Sequence, residues 1–571
     1  MAFLHPFETG LTGRESDWAF VGVPAWTERA GGIICPPVWS DPAFDPDPAQ
    51  VPNSYAHELA REDFAFLDTP PLDDTDVSVD FQCPYGAVLN GGVVFRAVDS
   101  RSFYVVDLIE LGRKAQAYEV TLWVQEASGY RRLLARGLAP HSVIPDRIVQ
   151  GGARSRAEWD HSSPDWLRLR VQATGSFIRV SADDRILFDL RDDTYAAGRL
   201  GLAARGAVAF RRLAAAGLPP RDPPAETAAW IPHRGELPRF LRPGHPQPVG
   251  FNAYPVVCRH PGGATALAWA HDASRGRATD GGTDPAVVLT RSADEGRTWS
   301  SPQVLFSRPG SHCAPTSLFA HRDGSLTALV AWAADPASPA LCLVLRSDDG
   351  GGTWRDRGEL QVGGHPLSHL PFVGLYSPMQ RLADGTVVMT AYEADDSAGH
   401  DNAHRRDRAL LLRSADDGRT WGEPTFFDAA NFDHNECMVA EVSPGHLVAF
   451  MRTLRATHMW HSSSRDGGRT WSPLAESDIS AECPCLLRHS SGALILGSRG
   501  AGTFVRLSVD GGQTWGTTWR ISPASAMMGM VEMADGRVLV VMHEGYRVPG
   551  AIRGQFFRLA DHGLVAADGD V

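Results

Sequence analysis

Ser464-Arg-Asp-Gly-Gly-Arg-Thr-Trp471 is one of five copies of a single phrase, Ser-x-Asp-x-Gly-x-Thr-Trp, and reading that phrase decides the fold. The other copies begin at Ser292, Ser347, Ser414 and Ser508, so that successive starts lie 55, 67, 50 and 44 residues apart. Each follows a β-rich run such as Ala286–Thr290 or Leu341–Leu345. Asp accepts hydrogen bonds from its own turn, Gly supplies backbone freedom and Trp gives an apolar anchor, which together make a hairpin staple. A repeat near fifty residues means an array of supersecondary units, each burying its apolar face against its neighbours.

A second element recurs upstream of each copy: a strand, a Gly-containing turn and another strand. The six instances start at Tyr254, Pro315, Ser377, Glu436, Pro484 and Met528, with turns at Gly262-Gly263, Gly324, Gly385, Gly445, Gly492 and Gly536. Six inner hairpins for five staples predict a ring of six blades, the last, from about Met528 to Leu559, lacking its staple. A closed ring leaves only short, protected sheet edges.

The five phrases resemble the Asp-box, or BNR repeat, of the sialidase-like six-bladed β-propellers. In that superfamily the boxes sit at blade rims, which implies a structural and not a catalytic role for Asp294, Asp349, Asp416, Asp466 and Asp510. The expected fold is all-β: residues 249–571 a six-bladed propeller, 216–248 a Pro-rich linker beginning Gly217-Leu-Pro-Pro-Arg-Asp-Pro-Pro224, and 1–215 an antiparallel β-sandwich. In the last region GGVVFRAVDSRSFYVVDL (91–108), WLRLRVQATGSFIRVSADDRILFDL (166–190) and GRLGLAAR (198–205) resemble the concanavalin/laminin-G jelly roll found beside many carbohydrate-active enzymes. That resemblance implies either a packing module or a carbohydrate-binding one.

The 571 residues carry a net charge of −13 without basic blocks, which argues against nucleic acid and an anionic membrane surface as partners. No apolar run reaches membrane-spanning length. The N-terminus, MAFLHPFETGLTGRESD, has neither a basic n-region nor a continuous apolar core, so a cytoplasmic location is expected, or a secreted or periplasmic one if a leader has been trimmed. Eight cysteines at irregular intervals suit buried free thiols. The one close pair, Cys483-Pro484-Cys485, would point both thiols the same way along a regular strand, as blade core or as a metal or redox pair. No His/Glu spacing makes a metal site, and no cofactor is called for.

In a propeller the inner strands converge on a central funnel, so their starts and following loops can face one ligand. Asn435-Glu-Cys-Met-Val-Ala-Glu-Val-Ser-Pro-Gly-His-Leu-Val-Ala-Phe-Met-Arg452 resembles a sialidase phrase whose first Glu is base to a tyrosine nucleophile and whose last Arg grips the substrate carboxylate. Glu436 and Arg452 stand in those places. The blade-one loop 271–284 is where the superfamily puts its acid/base Asp; Asp280 aligns best, with Asp272 and Asp284 as competitors, and Arg499 resembles a further carboxylate-binding arginine. Two positions depart: Ala253 stands where the first arginine belongs and Met527 where the nucleophilic tyrosine belongs. His271, His365, His369, Tyr376, His434 and His543 cluster at strand starts and loops and complete the candidate substrate-binding set.

The resulting expectation is a glycoside hydrolase acting at a glycan end on an acidic or deoxy sugar, with Asp280 and Glu436 as the catalytic carboxylates. Two alternatives stand beside it, a polysaccharide lyase or related propeller enzyme on uronate-containing glycans and a non-catalytic glycan-binding propeller. Its partner in each case is carbohydrate; the oligomeric state is not legible.

Overall fold

The computed structural model describes residues 2–4, 18–21, 27–29, 32–35, 63–67, 71–82, 90–110, 117–127, 130–140, 166–204, 208–217, 243–244, 246–274, 284–335, 338, 340–367, 372–375, 378–395, 406–428, 433–453, 458–500, 502–522, 526–543, 551–560 and 563–567. It divides into two compact units, Met1–Leu237 with Thr518–Ala524, and Pro238–Thr517 with Ser525–Val571. The short segment Thr518–Ala524, which the sequence reading leaves in the propeller, thus groups with the first unit. Every named element is a strand. Among the described residues no helix is long and apolar enough to cross a membrane.

The first unit is a sandwich of two antiparallel sheets. One runs Arg185–Arg191, Phe177–Ala182, Leu167–Thr174, Thr75–Gln82, Val208–Gly217, Gly32–Cys35, Thr27–Arg29, with Ala2–Leu4 also on Val208–Gly217. The other runs Trp18–Val21, Asp63–Leu67, Arg199–Ala204, Asn90–Ala97, Phe103–Glu110, Ala117–Gln125, Arg131–Pro140, with Trp519–Ser522 at its end. Leu167–Thr174 shows why: its residues alternate buried and exposed, so Leu167, Leu169, Val171 and Ala173 face inward. They meet Val93, Phe95, Val106 and Val120 of the opposite sheet in one core.

The second unit is a ring of six antiparallel blades. Their innermost strands are Phe251–Arg259, His312–Ala320, the broken pair Phe372–Leu375 and Gln380–Arg381, His434–Ser443, Glu482–Arg488 and Met528–Glu532. The five boxes close identical turns in blades one to five. In blade four the Ser464 hydroxyl donates to Asp466 Oδ1 at 2.8 Å and accepts from the Gly468 amide at 2.8 Å. The Thr470 amide and hydroxyl donate to the two oxygens of Asp466 at 2.9 and 2.6 Å. The Gly at the fifth position of every box has φ between 79° and 92°, a left-handed value that accounts for its invariance across the copies.

The box tryptophans do more than close their own hairpins. Trp354, Trp421, Trp471 and Trp515 pack into clusters that join blade two to one, three to two, four to three and five to four. Trp299 packs where blade one meets blade six, against a cluster that mixes Leu267, Trp269 and Val288 with Leu539, Val541 and Phe556. Each box therefore anchors the seam to the preceding blade, and apolar burial across the seams drives ring closure. Gln247, just ahead of blade one, fastens the same junction: its amide nitrogen donates to the Ile552 carbonyl at 2.9 Å and its oxygen accepts from the Ile552 amide at 2.8 Å.

Candidate active site

The inner strands do not run straight to the axis. Their pairing slips between Ala253 and Val256, Pro315 and Ser317, Asn435 and Met438, and Glu482 and Cys485, each slip a β-bulge at a matched place on its blade. Three non-glycine residues at these bulges hold left-handed backbone, Tyr254 at φ 56°, Glu436 at 42° and Cys483 at 52°. Such conformations cost on the order of 1–3 kcal/mol each and persist only where the surroundings enforce them. The bulges re-aim strand-start side chains toward a cavity of about 320 Å³ to which residues of all six blades contribute. Tyr254, Pro255, Met438, Pro484, Met527 and Met528 give it an apolar wall, and His312, Thr316 and Glu436 add polar groups.

Glu436 sits at the wall with 8% of its surface exposed. The Cys483 thiol donates to its Oε2 at 2.8 Å, and Arg452 Nη1 lies 3.3 Å from the same oxygen. A second carboxylate follows: Glu482 Oε2 is 3.6 Å from Arg452 Nε and 3.9 Å from Arg499 Nη2. Burial works against the Arg452 charge, but Glu436 and then Glu482 outweigh it and hold the guanidinium pKa above its ordinary value. Burial in turn raises the Cys483 thiol well above the usual range, so at neutral pH it is a protonated donor to Glu436. The structure thus joins Glu436, Arg452 and Arg499 into one network and adds Glu482 and Cys483, two residues outside the expected set.

The signal for these two was in the sequence. Glu482-Cys-Pro-Cys485 opens the inner strand of blade five as Asn435-Glu-Cys-Met438 opens that of blade four. The bulge also breaks the alternation expected of the thiol pair: Cys483 joins the charged network while Cys485 lies in the apolar seam between blades four and five. Six described cysteines are free thiols. Among the described residues no cluster of His, Cys, Asp and Glu could hold a metal ion.

The other candidates fall in different surroundings. Asp280, His369 and Tyr376 lie outside the described residues. His365 is exposed, in the small hairpin Gln361–Val362 with His365–Pro366. His271 bonds through Nδ1 to Asn252 Oδ1 at 3.2 Å, and burial lowers its pKa. His543 is fully buried, and its Nε2 accepts the Met527 amide at 3.0 Å. His434, 2% exposed, packs on the Trp460 ring at 5.2 Å, and burial draws its pKa down to about 4. None of these three is among the residues lining the cavity, and neither are Arg452, Arg499, Glu482 and Cys483, which adjoin it through Glu436. Of the departures, Ala253 is buried with Phe251, Ala270 and Ala314, and Met527 lines the cavity.

Residues 267–482 match the family described as BNR repeat-like domain. No curated protein matches in sequence. Among solved structures, a protein of unknown function from Dyadobacter fermentans is similar at 20% identity and a TM-score of 0.46, over 57% of this chain and 98% of that one. The NanB sialidase of Streptococcus pneumoniae is similar at 12% identity and a TM-score of 0.46, over 89% and 99% of the two chains. The leech intramolecular trans-sialidase follows at 12% identity and a TM-score of 0.44, over 88% and 98%. The chain thus carries a BNR repeat-like domain across its central blades, within a ring of six blades whose five boxes are identically bonded.

Proposed function

We propose that the protein is a glycoside hydrolase acting at a glycan end, with its chemistry at the axial cavity of the propeller. One observation carries the reading: Glu436 is presented at the cavity wall on a left-handed bulge, with a guanidinium and a thiol both directed at one of its oxygens. Strain of this kind concentrates at functional sites, and a carboxylate fixed beside a ligand-sized cavity is the group that glycoside hydrolysis requires. In this reading Glu436 is one of the two carboxyl groups and Asp280 the other, the first serving water or the anomeric carbon and the second protonating the leaving oxygen. The apolar packing around Ala253 and the place of Met527 in the cavity wall fit a mechanism without the superfamily's tyrosine nucleophile. The test is a panel of oligosaccharides and aryl glycosides screened for released monosaccharide, followed by Glu436→Gln and Asp280→Asn on whichever substrate turns over. Loss of turnover in both, with binding retained, is expected; full turnover in Glu436→Gln refutes the assignment.

A second reading is a glycan-binding propeller without turnover. The observation favouring it is that Ala253, at the place of a carboxylate-binding arginine, is buried among apolar side chains. Binding of a glycan by the wild-type chain with no hydrolysis over days distinguishes it.

A further inference from the structure

The two arginines that adjoin the cavity through Glu436 are already occupied by the protein's own carboxylates. Glu482 Oε2 lies 3.6 Å from Arg452 Nε and 3.9 Å from Arg499 Nη2, while Glu436 Oε2 takes the other side of Arg452 at 3.3 Å. Among the described residues of this network, two cations face two anions. An arriving substrate carboxylate gains only what Glu482 gives up, and Glu482 is tethered in place at the start of its strand. Displacing it also strands a half-buried negative charge beside Glu436, a cost that an exposed carboxylate does not meet.

The wall of the cavity points the same way. Tyr254, Met438, Pro484, Met527 and Met528 give one part of the wall methyl, thioether and ring surface, while His312, Thr316, Tyr392 and Glu436 supply its polar groups. A sugar edge turned to the apolar part would bury its hydroxyls unpaired, whereas a methyl or methylene gains from that contact.

We infer that Glu482 sets the site against acidic sugars, and that the sugar it takes is neutral and carries a deoxy or methyl-bearing edge turned to the methionine-lined wall. This rests on the reading of the cavity as a glycan site and chooses between the two sugar classes that reading leaves open. Arg452 and Arg499 then serve to hold Glu436 and Glu482 in position and are not receptors for a substrate carboxylate.

The experiment is calorimetric titration of the full-length protein with L-rhamnose and L-fucose as neutral deoxy sugars and D-glucuronate and N-acetylneuraminate as acidic ones. In the wild-type chain the deoxy sugars bind at least about tenfold more tightly than the acids, and in Glu482→Gln the ratio of the two dissociation constants moves toward the acids by about tenfold or more. Acids that bind wild type as tightly as deoxy sugars, or that bind Glu482→Gln more weakly than wild type, overturn the inference. The wild-type ratio stands by itself should the variant fail to fold. If neither class binds the folded wild-type protein at millimolar concentration, the glycan-site reading itself falls and takes the inference with it.

Discussion

The Cys483 thiol donates to Glu436 Oε2 across 2.8 Å from a neighbouring blade, and both residues hold left-handed backbone to do so. The bond joins the bulges of blades four and five directly, so the carboxylate is oriented by a side chain that takes up little space and stays protonated. Replacing Cys483 by Ala removes a hydrogen bond to a charged acceptor, worth roughly 1.5–3 kcal/mol, and is expected to lower kcat/KM by at least about tenfold on any substrate found. Cys483→Ser restores a donor and is expected to recover most of the loss. A merely structural role would give equal activity per folded molecule in the two variants. Equal and wild-type-like values for both would remove Cys483 from the positioning of Glu436.

The boxes call for the opposite outcome. Asp466 accepts from the Ser464 hydroxyl, the Arg469 amide, and the Thr470 amide and hydroxyl; burial pushes its pKa up, but these bonds together outweigh it and hold the pKa well below the ordinary carboxylate range. In Asp510 the Thr514 hydroxyl and then its amide draw the pKa down to about 2. Asp466→Ala should lower Tm by several degrees while leaving kcat/KM at 25 °C unchanged within about twofold, because the turn lies at the rim and its Trp471 anchors the seam to blade three. A drop in turnover with Tm unaltered would contradict a structural role.

How legible was this molecule in its residues? The blades were readable because each box repeats the same bonds between residues at most four apart, so local sequence dictates local geometry. The strands of the sandwich were readable for a related reason: Leu167–Thr174 alternates in sequence as it does in burial. The site was readable only in part. Glu436 and Arg452 lie in one phrase, but Glu482 and Cys483 reach them from the next blade, a relation set by the bulges and not by spacing. His434 shows the converse, a polar residue at the right place in the chain whose ring is turned into packing against Trp460. Position along a strand predicted proximity to the axis; it did not predict which way a side chain leaves a bulge.

Segment Thr518–Ala524 illustrates a second limit and yields a stability test. Asp107 in the sandwich accepts from Arg131 Nη1 at 3.1 Å and from Arg520 Nη1 at 3.3 Å, and both guanidiniums are almost fully buried. Arg131 also donates to Gln125 Oε1 at 2.8 Å and lies 5.7 and 5.8 Å from the ring centroids of Phe64 and Phe103. Asp107→Ala leaves two buried cations without their shared carboxylate, and such a loss typically costs about 3–5 kcal/mol. Urea unfolding should show the first unit destabilised by that order, with Arg520→Met much milder because it removes one charge and leaves the Asp107–Arg131 pair. Equal effects of the two substitutions would mean that packing, and not charge compensation, dominates this site.

His434 sets the acid limit of stability. Burial lowers its pKa from the ordinary histidine value to about 4 in the folded chain, while in the unfolded chain it titrates near 6.5. Between those values the unfolded state takes up a proton that the folded state refuses, so the stabilisation is complete above about pH 6.5 and declines as the pH falls toward 4. Summed over that interval, one such group accounts for on the order of 3 kcal/mol. His271, His321 and His461 are shifted downward by burial too and act in the same direction. The box carboxylates, with pKa values held low, contribute in a separate window below the ordinary Asp value and do not blur the first. Urea midpoints measured from pH 7 to 4.5 should therefore fall steadily in the wild-type chain, and His434→Gln should be less stable at pH 7 but lose less of its stability on acidification. Parallel curves for the two proteins would show that His434 is not the group that titrates.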